Sequence, residues 1–330
     1  MDERSIESLT AIESLTAAVR HRRRPRGIAA ALMSFGGDGA PDFESFAAEL
    51  RRIETAGLRA AVNMDTGYVQ RLSPAERARA LAAARQSLPP AGGSQPAFVA
   101  GAFVDEGPGP LLDRYRREMD AVERAGGQPI LFPCRELGAL EEPAVVELFA
   151  RATDGRPPAL LFELGEMFVP YGRIYTLDTF AALMDLPGVA GLKHSSLDRR
   201  AEWARLALRD RRRPDFRLYT GNDLAIDMVM YGSDYLLGLA AFHPEAFAAR
   251  DARWQAGDPR FFALNDLLQY LGAFAFRPPV PAYRHAAAMF LGLRGRIASD
   301  RPPAGAPARP ESDRAVLADL LERIDEELHR

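Results

Sequence analysis

Lysine is almost absent from this sequence: of its 42 basic residues, 41 are arginine and one is lysine, Lys193. Cysteine is equally scarce. Cys134 stands alone, so no intrachain disulfide can form and a cysteine-based metal cluster is excluded. No apolar run approaches the ~20 residues a membrane helix requires. The N-terminus, MDERSIESLT, lacks the basic-then-apolar order of a signal peptide, and a cytoplasmic protein is expected. The balance of 42 basic against 45 acidic residues gives a net charge of −3, which leaves no electrostatic footprint for nucleic acid. The five histidines show no HxH or HExxH spacing, so nothing selects a metal.

What is present is ordinary globular material. Of the 330 residues, 47% are hydrophobic and 26% charged, which excludes wholesale disorder and suits one large domain or two ordinary ones. A tandem hexapeptide opens the chain, Ile6–Ala11 repeated as Ile12–Ala17 (IESLTA IESLTA). It is too short for a solenoid and reads as a helical N-terminal extension over 1–26. The basic run Arg20–Arg26 reads as a solvated boundary.

From Gly27 onward, short apolar runs alternate with amphipathic patterns. Strands are predicted at 27–33, 59–63, 97–103, 129–132, 159–163, 189–193, 216–220 and 235–239. Helices are predicted near 43–56, 74–87, 110–125, 141–153, 177–185, 198–209, 223–231 and 245–256. Ser73-Pro74 places an N-cap before a first-turn proline, with Glu76 three residues after the cap. Gly57 and Gly126 stand where helices stop. Eight continuous apolar strands, each followed by a helix, are the signature of an α/β (β/α)8 TIM barrel over 27–256. A C-terminal three-helix extension follows over 257–330, with helices near 259–275, 281–297 and 313–329 and a Pro-rich linker at 299–310. A doubly wound sheet is the rival fold. It is weakened because no GxGxxG or GxxxxGKS/T loop follows any strand.

The lone lysine falls at the C-terminal end of the sixth strand, and active sites of such barrels lie at that face. Only about one position in twenty falls at such a strand end. A composition that favours arginine wherever a positive charge suffices makes a retained lysine informative. Arginine stays protonated and cannot attack a carbonyl. A desolvated lysine can lose its proton, form an imine with a ketone or aldehyde, and use the iminium as an electron sink. Gly191, Leu192 and Leu161 are the expected apolar surroundings.

Several short motifs now fall in order. They are Gly27–Phe35 with Asp38-Gly39 and Asp42, Thr66-Gly67, Leu72-Ser73-Pro74-Ala75-Glu76-Arg77, Gly191-Leu192-Lys193-His194-Ser195-Ser196, and Gly221-Asn222-Asp223. Together they resemble the dihydrodipicolinate synthase / N-acetylneuraminate lyase superfamily, the class I lyases that work through a Schiff-base lysine. The resemblance runs from about Gly27 into the C-terminal helices, and three trailing helices are that family's habit. It implies a lyase, aldolase or dehydratase, acting on a 2-oxo acid or related carbonyl or sugar-acid substrate through Lys193. It implies no organic cofactor, and a homotetramer or homodimer of barrels.

Departures from the family pattern shape the rest of the expectation. The second-strand loop reads Asn63-Met64-Asp65-Thr66-Gly67-Tyr68, with Asp65 where the family offers a threonine to a substrate carboxylate. Two carboxylates 4 Å apart would repel by about 4 kcal/mol at an effective dielectric of ~20. Either Asp65 points away, or it is protonated, or the substrate is a polyol or hydroxyketone without a carboxylate there. The fifth strand ends Leu161-Phe162-Glu163, with phenylalanine at the family's relay tyrosine. Glu163 then either serves as general acid/base or pairs with an arginine at the barrel rim, and a one-residue shift in parity exchanges those outcomes. Arg135 either binds an anionic group or pairs with Glu136. The missing tyrosines argue against dihydrodipicolinate synthase itself.

The expected site is thus Lys193 and Glu163 for the chemistry, with Asp65, Thr66, Gly67, Ser195, Asn222 and His243 around the substrate. Strand alternation turns His194 to the outer layer. Asp223 is expected to cap the helix that follows it. Two other readings stay open. One is a metal-dependent sugar isomerase or epimerase using Asp65, Glu163, Asp223 and His243. The other is a non-catalytic barrel that binds a carbonyl ligand.

Overall fold

The structure is a computed structural model that describes residues 12–89, 96–104 and 106–330. Eight parallel strands close in sequence order into a barrel. They are β1 (Gly27–Ala30), β2 (Arg59–Val62), β3 (Phe98–Ala102), β4 (Gly127–Leu131), β5 (Ala159–Leu164), β6 (Val189–Ser195), β7 (Arg217–Thr220) and β8 (Asp234–Leu237), with β8 pairing back onto β1. The fold is therefore a (β/α)8 TIM barrel. Among the described residues, no helix is long and apolar enough to cross a membrane.

Each strand buries both faces, as parallel strands must when helices cover them. Ile28, Ala61, Val99, Ile130, Phe162 and Leu236 fill the lumen. Their neighbours Ala29, Val62, Phe98, Leu192 and Leu218 pack outward against helices. This alternation decides which side chains can meet in the barrel mouth.

Helix starts follow local chemistry. The Asp42 carboxylate accepts from the Glu44 and Ser45 amides at the start of α2 (Phe43–Thr55). Ser73 and Glu76 form a reciprocal capping box on α3 (Pro74–Ser87), where Pro74 lacks only an amide that would be unbonded anyway. α8 (Arg199–Arg212), between β6 and β7, supplies an arginine to the outer layer discussed below.

One segment differs in kind from the expectation. Residues Ile226–Tyr231 form a 3-10 helix rather than an α-helix. Asp223 does not cap it: its carboxylate reaches instead to the Leu239 amide at 2.8 Å. Three helices close the chain: Arg260–Ala275, Tyr283–Leu293 (α11) and Asp313–His329 (α12). The second hexapeptide copy forms a short helix, Ile12–Ala17 (α1). The first copy, 6–11, lies outside the described residues.

Replacing Ser73 by alanine removes one half of an exposed capping box and is expected to cost about 1 kcal/mol. Denaturant midpoints of the two proteins measure it, and an unchanged midpoint would show that the box contributes nothing here.

Candidate active site

The β5 and β6 strands build the site between them. Their register sets Phe162 beside Lys193 and Glu163 beside His194. Alternation then divides the four residues. Phe162 and Lys193 face the lumen, with the lysine Nζ 4.0 Å from the Phe162 ring centroid. Leu161 and Leu192 face outward, so the apolar wall against the amine is Phe162 rather than those leucines.

Glu163 also faces outward, and the expectation that it works on substrate is corrected here. Arg205 on α8 grips it with two bonds, Nε to Oε2 at 3.0 Å and Nη2 to Oε1 at 2.9 Å. His194 Nδ1 lies 2.6 Å from Oε2, and the Tyr175 amide donates to Oε1 at 3.1 Å. Burial pushes the carboxyl up, but Arg205 and His194 outweigh it and hold its pKa down to about 2. A carboxylate held that low and aimed away from the lysine is not a general acid or base for the lumen. His194 is likewise buried in the outer layer, its Nε2 2.7 Å from the Ser196 hydroxyl.

Lys193 is partly accessible at the C-terminal mouth. Burial lowers its pKa to about 8, against the opposing pull of the Asp223 and Asp65 carboxylates. Asp223 moves the other way. Burial raises it to about 7, against the Leu239 amide and the Lys193 charge. Close to neutral pH, the two groups can therefore exchange between an ion pair and a neutral amine beside a neutral acid.

Ser195, one alternation beyond Lys193, is fully buried, and its hydroxyl has no hydrogen-bond partner among the described residues. Gly221 explains how it fits. A Cβ there would lie 1.9 Å from Ser195 Oγ and 3.0 Å from Lys193 Cε. Asn222 shapes the turn that follows, accepting the Leu224 amide at 3.0 Å.

The loop after β2 meets a partner from far along the chain. Tyr283, the first residue of α11, donates its hydroxyl to Asp65 Oδ2 at 2.9 Å. Its oxygen also lies 2.9 Å from Thr66 Oγ1. A phenol has one proton, so the Thr66 hydroxyl must be the donor in that second bond. The ring stacks on Phe276 at 4.2 Å between centroids. Gly238 leaves room for both partners: a Cβ there would come within 2.8 Å of Thr66 Oγ1 and 2.9 Å of the Tyr283 ring. Gln70 Nε2 and Arg284 Nη1 also donate to Asp65 Oδ1, at 2.9 and 3.4 Å. Burial, reinforced by Asp65, raises the Tyr283 pKa well above the ordinary phenol range.

Tyr283 and Arg284 carry no local mark of function. The one signal is the three prolines of Arg277–Pro281 (RPPVP), which stop one helix and open the next on a Tyr-Arg pair. Gly67 turns its amide to the Met64 carbonyl at 3.0 Å, so that amide does not point at a substrate oxygen.

His243 is a second correction. Its Nδ1 accepts the Ala246 amide at 3.2 Å, capping α9 (Pro244–Ala256), and its Nε2 lies 3.0 Å from Asp325 on α12. It ties the last helix to the barrel and does not line the mouth. With Glu163 and His243 both outside, the four groups considered for a metal do not converge. Among the described residues no three His, Cys, Asp or Glu side chains gather as a ligand set. Arg135 pairs with Glu106 at 2.7 Å in solvent, while Glu136 pairs with Arg114.

Comparison with known proteins agrees with the architecture. Dihydrodipicolinate synthase from Bacteroides thetaiotaomicron superposes with a TM-score of 0.75 at 18% identity, covering 91% of this chain and 98% of its own. The enzyme from Thermotoga maritima gives 0.73 at 18% identity, covering 92% and 99%. The chloride-inhibited enzyme from Acinetobacter baumannii, complexed with pyruvate, gives the same values. The likeness to the dihydrodipicolinate synthase superfamily therefore holds at the level of the fold. No curated protein matches the sequence. A family profile does match, over residues 29–306, and by it the chain belongs to the family described as "Protein of unknown function (DUF993)".

Proposed function

We propose that this protein is a class I lyase, an aldolase or dehydratase that forms a Schiff base between Lys193 and a carbonyl substrate. The observation that carries the reading is the lone lysine of the chain, desolvated in the lumen at the C-terminal end of β6 against Phe162 and two carboxylates. The neutral Nζ attacks the carbonyl carbon and forms the C–N bond. The former carbonyl oxygen takes up two protons, one from the amine and one from an acid, and leaves as water; Asp223, which interacts electrostatically with Lys193, would be that acid in its neutral form. The iminium then accepts the electron pair of the neighbouring C–C or C–O bond as it breaks.

Proton movement after imine formation needs a group other than Glu163. Tyr283 fits that role, because its phenol joins the Thr66 hydroxyl to the Asp65 carboxylate in one hydrogen-bonded chain. The relay would thus come from the C-terminal extension, compensating for Phe162 on β5. The carbonyl partner is drawn from 2-oxo acids, hydroxyketones and sugar acids. Asp65 favours those that present a hydroxyl to it, since its carboxylate accepts hydrogen bonds and repels a second carboxylate.

Borohydride reduction in the presence of a carbonyl panel, followed by intact-mass measurement and peptide mapping, tests the proposal directly. Only Lys193 and the terminal amine can be labelled. A stoichiometric adduct on Lys193 is expected, and it should vanish in Lys193→Arg. Absence of an adduct with every carbonyl would remove the lyase reading. Trapping should also fall about tenfold per pH unit below about 8, where the ammonium form dominates, and level off above it.

Tyr283→Phe keeps the ring stacked on Phe276 but removes the relay. Turnover should drop about 10²–10⁴-fold while the reducible adduct still forms. A variant that turns over normally would show that the proton travels elsewhere. Glu163→Gln tests the structural role assigned to that residue. It leaves buried Arg205 without its counter-ion and should cost about 3–5 kcal/mol in stability. Lys193 should still be trapped at temperatures where the variant remains folded. In the parent protein the depressed carboxyl contributes stability above its ordinary value of 4.5. About 3 kcal/mol of it should be lost as pH falls from there towards 2. A folded Glu163→Gln variant that cannot be trapped would return Glu163 to the chemistry.

A further inference from the structure

At the N-terminal mouth of the barrel, opposite Lys193, lies a cleft of about 1230 Å³. Its rim is made by prolines that precede β1, β3, β5 and β6, and arginines line it. Some of those arginines have structural duties. Arg213 donates to the Met184 and Leu186 carbonyls at the end of α7 (Leu177–Met184), as a cation at a helix C-terminus should. Arg23 is bound to Asp234 at 2.6 Å. Three others are not used up in this way.

Arg24 and Arg26 are exposed, and among the described residues neither guanidinium is paired with a carboxylate; only the Arg26 backbone amide reaches one, Asp234 Oδ1 at 2.9 Å. Arg59, at the start of β2, points into the mouth. It donates to Gln128 Oε1 at 2.9 Å and the Phe98 carbonyl at 3.0 Å, both neutral, and its Nε has no partner. Burial without a carboxylate lowers its pKa to about 10. The groups converge: Arg59, Arg217 and Arg26 all act on the Tyr219 phenol, which lines the same cleft. The acids nearby are committed, Asp251 to Arg250 at 2.7 Å and Asp234 to Arg23 and Arg217. Asp215, beside Arg213, is 78% exposed at its side chain.

A half-buried cation without a counter-ion, joined at the same mouth by two exposed ones, offers a negative partner a preformed set of donors. Guanidinium groups match phosphoryl oxygens in pairs, and the space is too large for orthophosphate alone. We propose that this mouth is a binding site for a small molecule carrying a diphosphoryl group, with Arg59 as its anchor and Arg24 and Arg26 at its entrance. The site is separate from Lys193 and does not depend on the lyase reading.

Calorimetric titration of the full chain with pyrophosphate, with ADP and with adenosine tests this. One site is expected for each of the first two ligands and none for adenosine, with affinity falling as salt is raised. Tighter binding of ADP than of pyrophosphate would identify a nucleotide as the occupant, and the reverse a free polyphosphate. Arg59→Gln should weaken binding at least about tenfold. Because Arg59 also holds two neighbours, the surface pair Arg24→Gln/Arg26→Gln serves as the second variant. It should weaken binding similarly with an unchanged melting temperature. Failure of both anions to bind would overturn the proposal. So would binding indifferent to both variants, binding abolished by Lys193→Arg instead, or equal binding of adenosine.

Discussion

The ion pair between Glu163 and Arg205 decides how the barrel's fifth strand faces. A carboxylate and a guanidinium removed from water are tolerable only when each satisfies the other. Here both oxygens of Glu163 are engaged by Arg205, with His194 and the Tyr175 amide completing the set. That arrangement draws on β5, β6, α8 and the segment before α7. Once Glu163 is anchored there, the period-two geometry of a strand leaves Phe162 no choice but the lumen. The adjacent register then turns Lys193 inward beside it and His194 outward. The inward amine and its apolar wall are in this sense consequences of an ion pair that never touches them.

The lumen completes the logic with asymmetry. On one side Lys193 is buried in the lumen, its Nζ 4.0 Å from the Phe162 ring centroid, and that burial lowers the amine's affinity for a proton. On the other it meets Asp223 and Asp65, which raise it again. The compromise keeps the lysine close to neutrality with an acid near it, which is what the proposed imine chemistry asks of it. Phe162 cannot relay a proton, and the phenol bonded to Asp65 belongs to Tyr283, 218 positions from it along the chain. The C-terminal helices are therefore part of the site's wall, and the tie between His243 and Asp325 at α12 helps hold them on the barrel.

The fold was legible because its signals are local and repeated. Continuous apolar strands, a proline at the first turn of a helix and a capping box each act within a few residues, and the barrel follows from their alternation. The place of Lys193, at the C-terminal end of the sixth strand and facing the lumen, was legible from strand order and alternation. Glu163 was not, because the sequence Leu161-Phe162-Glu163 is equally compatible with either parity and only a distant arginine breaks the tie. His243 and Asp223 were misread for a related reason. Both lie just past a strand's C-terminal end, where a side chain can turn to the mouth, to a helix start or to a neighbouring loop. Asp223 stayed near the lysine by bonding the Leu239 amide, while His243 took the helix cap. Tyr283 and Arg284 had no local signature, since their significance exists only once two distant segments meet.

The two ends of the barrel obey opposite electrostatic demands. Helices that follow the strands return with their N-termini near the C-terminal mouth and their C-termini near the other. The partial positive ends can accommodate carboxylates such as Asp65 and Asp223 around a cation. The partial negative ends ask for arginines, and Arg213 answers in that way. Capping explains an arginine that touches a carbonyl at a helix end. It does not explain Arg59, which grows from a strand, spends two donors on a neutral amide and a strand carbonyl, and leaves a third unbonded. The surplus charge at the N-terminal mouth exceeds what the helix ends require, and that excess, rather than the arginine-rich composition, sets this face apart from the rest of the surface.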